Sequence, residues 1–123
     1  MDAQGAGETL YLMTAPDFSQ YTLALLYRGR VVYSSNAQGL KPLRECIAEC
    51  SGRFRECTLF DKVIGLAAAK LILYSGMINT IITTVASRPA VDFLGESHIA
   101  LYTDRIVDNI LTKDGKAVCP GER

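Results

Sequence analysis

The residues of this chain most able to do chemistry flank two apolar segments. Asp61 and Lys62 precede one apolar run, and Ser87 follows another, with Arg88 beside it. In an open α/β sheet, polar residues at helix starts come together at the carboxyl edge of the sheet. Because backbone N–H groups at helix starts attract anions, this pattern predicts a site for an anionic or nucleotide-like small molecule.

Each of these residues also has a purely structural interpretation. In that interpretation Asp61 is a helix N-cap that contributes about 1 kcal/mol to the stability of the domain, and Lys62 is a solvated neighbour. Ser87 would likewise cap the next helix, and Arg88 would be an ordinary surface arginine. In the functional alternative, Lys62 contacts an anion or acts as an acid while Asp61 orients it, and Ser87 and Arg88 hold a phosphate or carboxylate. The residues alone leave both interpretations open.

Two further segments carry candidate side chains. Ser35 lies in SSNAQGLKPL, where it either forms the turn ahead of a helix or lines a pocket. The chain ends in CPGER, which contains Cys119 and Glu122. Cys119 is either an inert thiol or a nucleophile whose pKa is lowered by Lys62 or a helix start. Glu122 joins the ligand-binding candidates.

No residues in the sequence have the spacing of a metal site. Cys46, Cys50 and Cys57 have three- and six-residue spacers, which match no ordinary zinc or iron–sulfur pattern. The single histidine, His98, opens a predicted strand and is interpreted as structural. We therefore expect no metal and no cofactor.

The composition favours a single ordinary domain. The chain has 123 residues, 49% of them hydrophobic and 21% charged, which is typical of a folded domain with a core. Its 13 basic and 13 acidic residues balance, which argues against nucleic-acid and anionic-membrane partners. Residues 1–20 contain no secretory signal pattern, and Val63 to Ile78 is too short to span a bilayer. We expect a cytoplasmic protein.

Hydrophobic patterning predicts the elements that position these side chains. Residues 1–16 form a loose lead-in, and Thr22–Tyr27 with Val31–Tyr33 forms a hairpin. Further strands are predicted over Ile78–Ala86 and Ile99–Thr103, whereas residues 104–111 fit a helix or a strand. Helices are predicted over Leu40–Cys50, over Val63–Leu73 with Asp61 as N-cap, and from Ser87 to Leu94. Helices on both faces of a mixed sheet make a three-layer α/β/α sandwich, a single domain over residues 17–123.

The segments SSNAQGLKPL, DKVIGLAAAKL, VASRPA and CPGE resemble a small prokaryotic family of unknown function within the cytidine-deaminase-like superfamily. The resemblance runs from about Thr22 to Glu122 and implies a cytidine-deaminase-like fold. In zinc deaminases of that superfamily one helix start carries His-x-Glu and the next Pro-Cys-x-x-Cys. The matching positions here, 61–63 and 87–89, carry neither signature. The resemblance therefore implies a deaminase-like domain without the zinc site.

Two functional hypotheses follow. In the first, Asp61, Lys62, Ser87 and Cys119 line a pocket for an unknown small molecule, with or without catalysis that needs no zinc. In the second, the chain is a non-catalytic protein-interaction module that uses the apolar surface of the Val63–Leu73 helix. Gly65, one turn into that predicted helix, predicts a closely packed neighbour. A homo-oligomer fits either hypothesis.

Overall fold

The computed structural model describes residues 21–110. The predictions for residues 1–16, Cys119 and Glu122 lie outside the described residues. In chain order the elements are β1 (Leu23–Tyr27), β2 (Arg30–Ser35), α1 (Lys41–Cys50), β3 (Cys57–Ile64), α2 (Leu66–Ser75), β4 (Ile78–Ser87), α3 (Arg88–Gly95) and β5 (Ala100–Val107). None of the described helices is long and apolar enough to cross a membrane.

The five strands form one mixed sheet in the order β2-β1-β3-β4-β5. Strand β1 is antiparallel to both of its neighbours, β2 and β3, whereas β3, β4 and β5 are mutually parallel. Strands β2, β3, β4 and β5 therefore run in the same direction. Their carboxyl ends meet at one edge, here called the carboxyl edge, and their starts lie at the opposite, amino edge.

The main core lies between the sheet and the three helices. Helix α2 contacts both α1 and α3, so all three helices cover the same face, here called the helical face. Buried side chains from both layers form this core, among them Leu25, Leu59 and Ile81 from the sheet and Leu43, Ile72 and Leu94 from the helices. On the opposite face, Ala24, Leu26 and Phe60 are also buried. The α/β class predicted from the sequence is confirmed, and burial on both faces is consistent with a three-layer sandwich.

Local sequence explains where two of the helices begin and one ends. Pro42 lies in the first turn of α1, where its missing N–H is not needed. Ser87 is the N-cap of α3, and its hydroxyl accepts a hydrogen bond of 3.3 Å from the Ala90 N–H, as predicted. Gly76 follows α2 with a left-handed φ of 69°, a conformation that glycine adopts readily.

The prediction that Asp61 caps a helix was wrong. Strand β3 pairs with β1 as far as Asp61 and with β4 as far as Ile64. Helix α2 begins at Leu66, with Gly65 as its N-cap. The β-branched Val63 and Ile64 favour an extended strand at this position. Gly65 has φ −100° and ψ −177°, so it precedes the helix rather than lying one turn inside it. The packing argument for Gly65 therefore fails.

Residues 104–107 are strand, because β5 runs from Ala100 to Val107 alongside β4. The strand alternative is confirmed for this part of the ambiguous segment. Strand β5 therefore extends four residues further towards the carboxyl edge, where the candidate site lies, than the predicted strand Ile99–Thr103.

Candidate functional site

A row of side chains crosses the sheet near the carboxyl edge. Leu23 pairs with Ser35 on one side and with Asp61 on the other. Asp61 then pairs with Thr83, and Thr83 with Thr103. Residues in register on neighbouring strands project to the same face, with strands about 4.8 Å apart. Because Leu23 belongs to the main core, this polar row lies on the helical face.

Asp61 occupies the centre of the row on a central strand. Its side chain is partly buried. Burial raises the pKa of Asp61 from 3.8 to about 7, and hydrogen bonding from the backbone N–H groups of Val63 and Lys62 offsets part of the increase. A carboxyl group that titrates near neutrality both donates and accepts a proton at ordinary pH, which is the property that general acid–base chemistry requires.

Two hydroxyl groups continue the row on β4 and β5. Thr83 is only 3% exposed, and its hydroxyl donates a 3.2 Å hydrogen bond to the Val85 carbonyl. The Thr103 hydroxyl lies 2.9 Å from the Arg105 carbonyl and 3.3 Å from that of Thr84. Since a hydroxyl carries one donor and two acceptor lone pairs, both oxygens retain acceptor capacity on the face that Asp61 occupies.

Two helix starts adjoin this row. Because β3 and β4 are parallel neighbours, the helices that follow them both begin at the carboxyl edge. Ser87 is fully buried and caps α3. In contrast, the N-cap of α2 is Gly65, a residue that has no side chain to cap the helix. The partial positive charge of a helix start favours an anion or a proton acceptor nearby.

The structure brings Asp61 and Ser87 to the same edge, but it separates Asp61 from Lys62. Consecutive strand residues point to opposite faces, and the Lys62 side chain is exposed. Its backbone N–H donates to the Thr22 carbonyl at 2.9 Å. Arg88, the first residue of α3, is also exposed. The predicted pairing of Asp61 with Lys62 therefore does not fit the geometry of β3.

Ser35 shapes the loop after β2. Its hydroxyl accepts a 3.1 Å hydrogen bond from the Ala37 N–H, and the Thr22 hydroxyl donates to the backbone carbonyls of Ser35 and Ala37. These contacts agree with the interpretation of Ser35 as a turn residue. Ser35 also ends the polar row, two strands from Asp61.

Residues 21–110 contain no group of three or more histidine, cysteine, aspartate or glutamate side chains that could hold a metal ion. Cys46, Cys50 and Cys57 are buried and free. Burial raises the pKa of each thiol, to about 11 for Cys57. These three side chains are therefore protonated thiols of the core at neutral pH.

Comparison with known proteins places the chain in a family. A family model described as "Domain of unknown function (DUF1893)" matches residues 17–123. A solved crystal structure of a DUF1893 family protein (TM1506) from Thermotoga maritima is 27% identical, with a TM-score of 0.76, and the match covers 96% of this chain and 75% of that chain. None of the curated proteins matches. Since the family model spans most of its length, this chain belongs to the DUF1893 family.

Proposed function

We propose that this DUF1893 domain is cytidine-deaminase-like and binds a small anionic or nucleotide-like ligand at the carboxyl edge, between β3 and β4. The observation that carries the proposal is Asp61, whose pKa is raised to about 7 in the middle of the polar row. The two adjacent helix starts support the same location. The superfamily assignment rests on the resemblance of the four sequence segments.

The protonated form of Asp61 suits an anion. A neutral carboxyl group donates a hydrogen bond to a phosphate, carboxylate or carbonyl oxygen, whereas an ionised one repels an anion. Ser87 adds a second contact if its hydroxyl turns from the Ala90 N–H towards the ligand. The first turn of α2, which begins after Gly65 at the same edge, supplies a partial positive charge.

The other candidates have lesser roles in this proposal. Lys62 lies on the other face of β3, so Asp61 acts directly rather than as the orienter of a lysine. Arg88, exposed at the start of α3, would contact the solvent side of an anionic ligand. Cys119 and Glu122 stay predictions from the sequence, in the catalytic and ligand-binding roles given above.

The rival hypothesis of a protein-interaction module loses the observation that motivated it. In α2, Ala68, Ala69 and Ile72 are buried in the main core, and Leu71 and Leu73 pack against it. The apolarity of this helix is therefore explained by packing within the domain. We favour the ligand-binding function for this reason.

A thermal-shift screen at two pH values tests the proposal. The panel contains nucleotides, nucleosides and small carboxylates, each at saturating concentration. A ligand present at ~100 times its Kd adds ~2.7 kcal/mol to stability, a rise of roughly 10 °C in Tm for a domain of this size. We expect an anionic hit whose Tm shift shrinks as the pH rises past the pKa of Asp61.

Two variants and a control make this test specific. The Asp61→Asn variant keeps a hydrogen-bond donor that does not titrate. It should therefore retain the ligand-induced Tm shift at the higher pH, where the wild type loses it. Asp61→Leu should lose the shift at both pH values. Asp104→Asn, at an exposed position on β5, should behave like the wild type. No hit from the panel, or a hit whose shift is the same in Asp61→Leu, would overturn the proposal.

A further inference from the structure

Four exposed arginines lie together at the amino edge, far from Asp61. Two of them flank the turn between β1 and β2, and two lie in the connection between α1 and β3. We call this set the arginine surface: Arg28, Arg30, Arg53 and Arg55. Tyr27 and Phe54 join the two connections, with ring centroids 5.0 Å apart. Because Tyr27 ends β1, which runs towards the amino edge, this surface is remote from the carboxyl edge.

Two of these guanidinium groups are held by aromatic rings. The Arg28 guanidinium carbon lies 5.1 Å from the ring centroid of Tyr27, and that of Arg53 lies 5.2 Å from the centroid of Phe54. Both distances are within the range of cation–π contacts. A guanidinium stacked in this way keeps its N–H edge available for two parallel hydrogen bonds to a phosphate. The stacking therefore lowers the conformational entropy lost on binding.

The positive charge of this surface exceeds the negative charge of the acidic residues near it in sequence. In the described part of the chain, no ion pair joins these four arginines to an acidic residue, and all four side chains are exposed. Glu56 is the one acidic residue within the two connections, and Glu49 lies four residues before Arg53 in the sequence. Four arginines counted with these two glutamates leave this group a net charge of +2, although the whole chain is neutral. An anionic partner is thus the complementary one.

We propose that the arginine surface binds single-stranded nucleic acid through its phosphate groups. An open surface of loops suits a flexible chain of repeated phosphates, and arginine planes stacked on aromatic rings offer a platform for unpaired bases. The even charge balance that argues against nucleic-acid binding describes the whole chain, whereas binding depends on local charge. An acidic polypeptide has carboxylates instead of phosphates and no bases to stack, so it is the less favoured partner.

Salt dependence measures the number of phosphate contacts. For single strands, the logarithm of the binding constant falls with the logarithm of salt concentration by about 0.7 per phosphate contacted. Contacts from four arginines therefore predict a slope of about −3. The affinity expected is that of non-specific binding, with Kd on the order of 10⁻⁴–10⁻⁶ M at physiological salt.

Fluorescence anisotropy with a short labelled single-stranded RNA of mixed sequence tests the proposal on the full chain. We expect saturable binding at low salt, and a double Arg28→Ala/Arg53→Ala variant should weaken it roughly tenfold while making the salt slope shallower by about 1.4. The Arg28→Lys/Arg53→Lys variant keeps the charge but loses the planar fork, so its loss should be intermediate.

A matched control removes the same charge elsewhere. Lys41 starts α1 and Arg105 lies in β5, both exposed and away from the amino edge. The Lys41→Ala/Arg105→Ala variant should bind within about twofold of the wild type. Circular dichroism confirms that each variant is folded. Equal losses in both double variants, absence of binding at low salt, or displacement of the RNA by polyglutamate as effective as by unlabelled RNA would overturn the proposal.

Discussion

At the scale of single residues, Asp61 links the stability of the domain to pH. Its carboxyl group has a pKa of about 7 in the folded chain, against an ordinary value of 3.8. Between these two values the folded state holds a proton that the unfolded state has released. The contribution of Asp61 to stability is therefore fully present below its ordinary pKa, falls as the pH rises through this interval, and is lost above about pH 7.

Replacement of Asp61 by Asn is expected to remove this dependence. The amide resembles the protonated carboxyl group in shape and charge, so the variant gains stability relative to the wild type as the pH rises. Allowing for the solvent that still reaches the side chain, we expect the gain to grow by about 2 kcal/mol between about pH 4 and pH 8. Urea denaturation across this range measures it, with Asp104→Asn as the exposed control. Parallel curves for wild type and Asp61→Asn would contradict the raised pKa.

The cysteines allow a second prediction at this scale. Because thiolates rather than thiols react, and because Cys46, Cys50 and Cys57 are buried with raised pKa values, we expect all three to resist iodoacetamide in the folded protein. Cys119, the remaining cysteine, is expected to be alkylated first. Mass-spectrometric mapping after brief labelling measures the order, and unfolding in urea is the positive control. Labelling of Cys46 in the folded protein ahead of Cys119 would contradict the prediction.

At the scale of elements, Gly76 fixes the end of α2. Its φ of 69° is unfavourable for residues with a Cβ atom, although a Cβ at this position would meet no atom within 4 Å. Gly76→Ala should therefore cost about 1–2 kcal/mol through backbone strain alone. Gly95, at the end of α3, also has open space around it but no left-handed φ, so Gly95→Ala is the matched control and should cause no loss. Equal urea midpoints for the two variants would show that the strain is absent.

Local patterns predicted most elements correctly, and strand β3 shows where such patterns fail. The hairpin, α1, β4 and the Ser87 cap each have a signal within a few residues, so they were identified. In contrast, VIGLAAA (residues 63–69) is apolar throughout, and hydrophobicity does not change at the boundary between strand and helix inside it. Gly65 marks that boundary, because glycine is a poor helix interior residue and an acceptable N-cap.

The candidate site was predictable only in part. Asp61 and Ser87 stand out because they are polar next to apolar runs, and parallel strands bring them to one edge even though the element assigned to Asp61 was wrong. Thr83 and Thr103 carry no such signal, since threonine is common in strands. Their place in the same row as Asp61 depends on the register between strands that are distant in sequence, which no local pattern contains.

At the scale of the whole molecule, the sheet buries side chains on both faces. Phe60 is fully buried on the face opposite the described helices. Phe60→Ala should therefore destabilise the domain by about 3–5 kcal/mol, which urea denaturation measures directly. Tyr74, another aromatic residue, is 76% exposed, and Tyr74→Ala should cost far less. A small loss for Phe60→Ala would contradict a core on that second face.

The position of β1 in the strand order has a consequence for how the chain folds. Strands β3, β4 and β5 pair in chain order, and β1 and β2 pair through a short turn, so both groups form from neighbouring segments. The pairing of β1 with β3 joins the two groups of strands. Along the chain, β1 and β3 are separated by all of β2 and α1. Closing this long loop carries the largest entropic cost among the strand pairings. We therefore expect the pairing of β1 with β3 to limit the rate of folding. Substitutions that weaken contacts between β1 and β3 should slow folding, whereas those that weaken contacts between β4 and β5 should mainly speed unfolding.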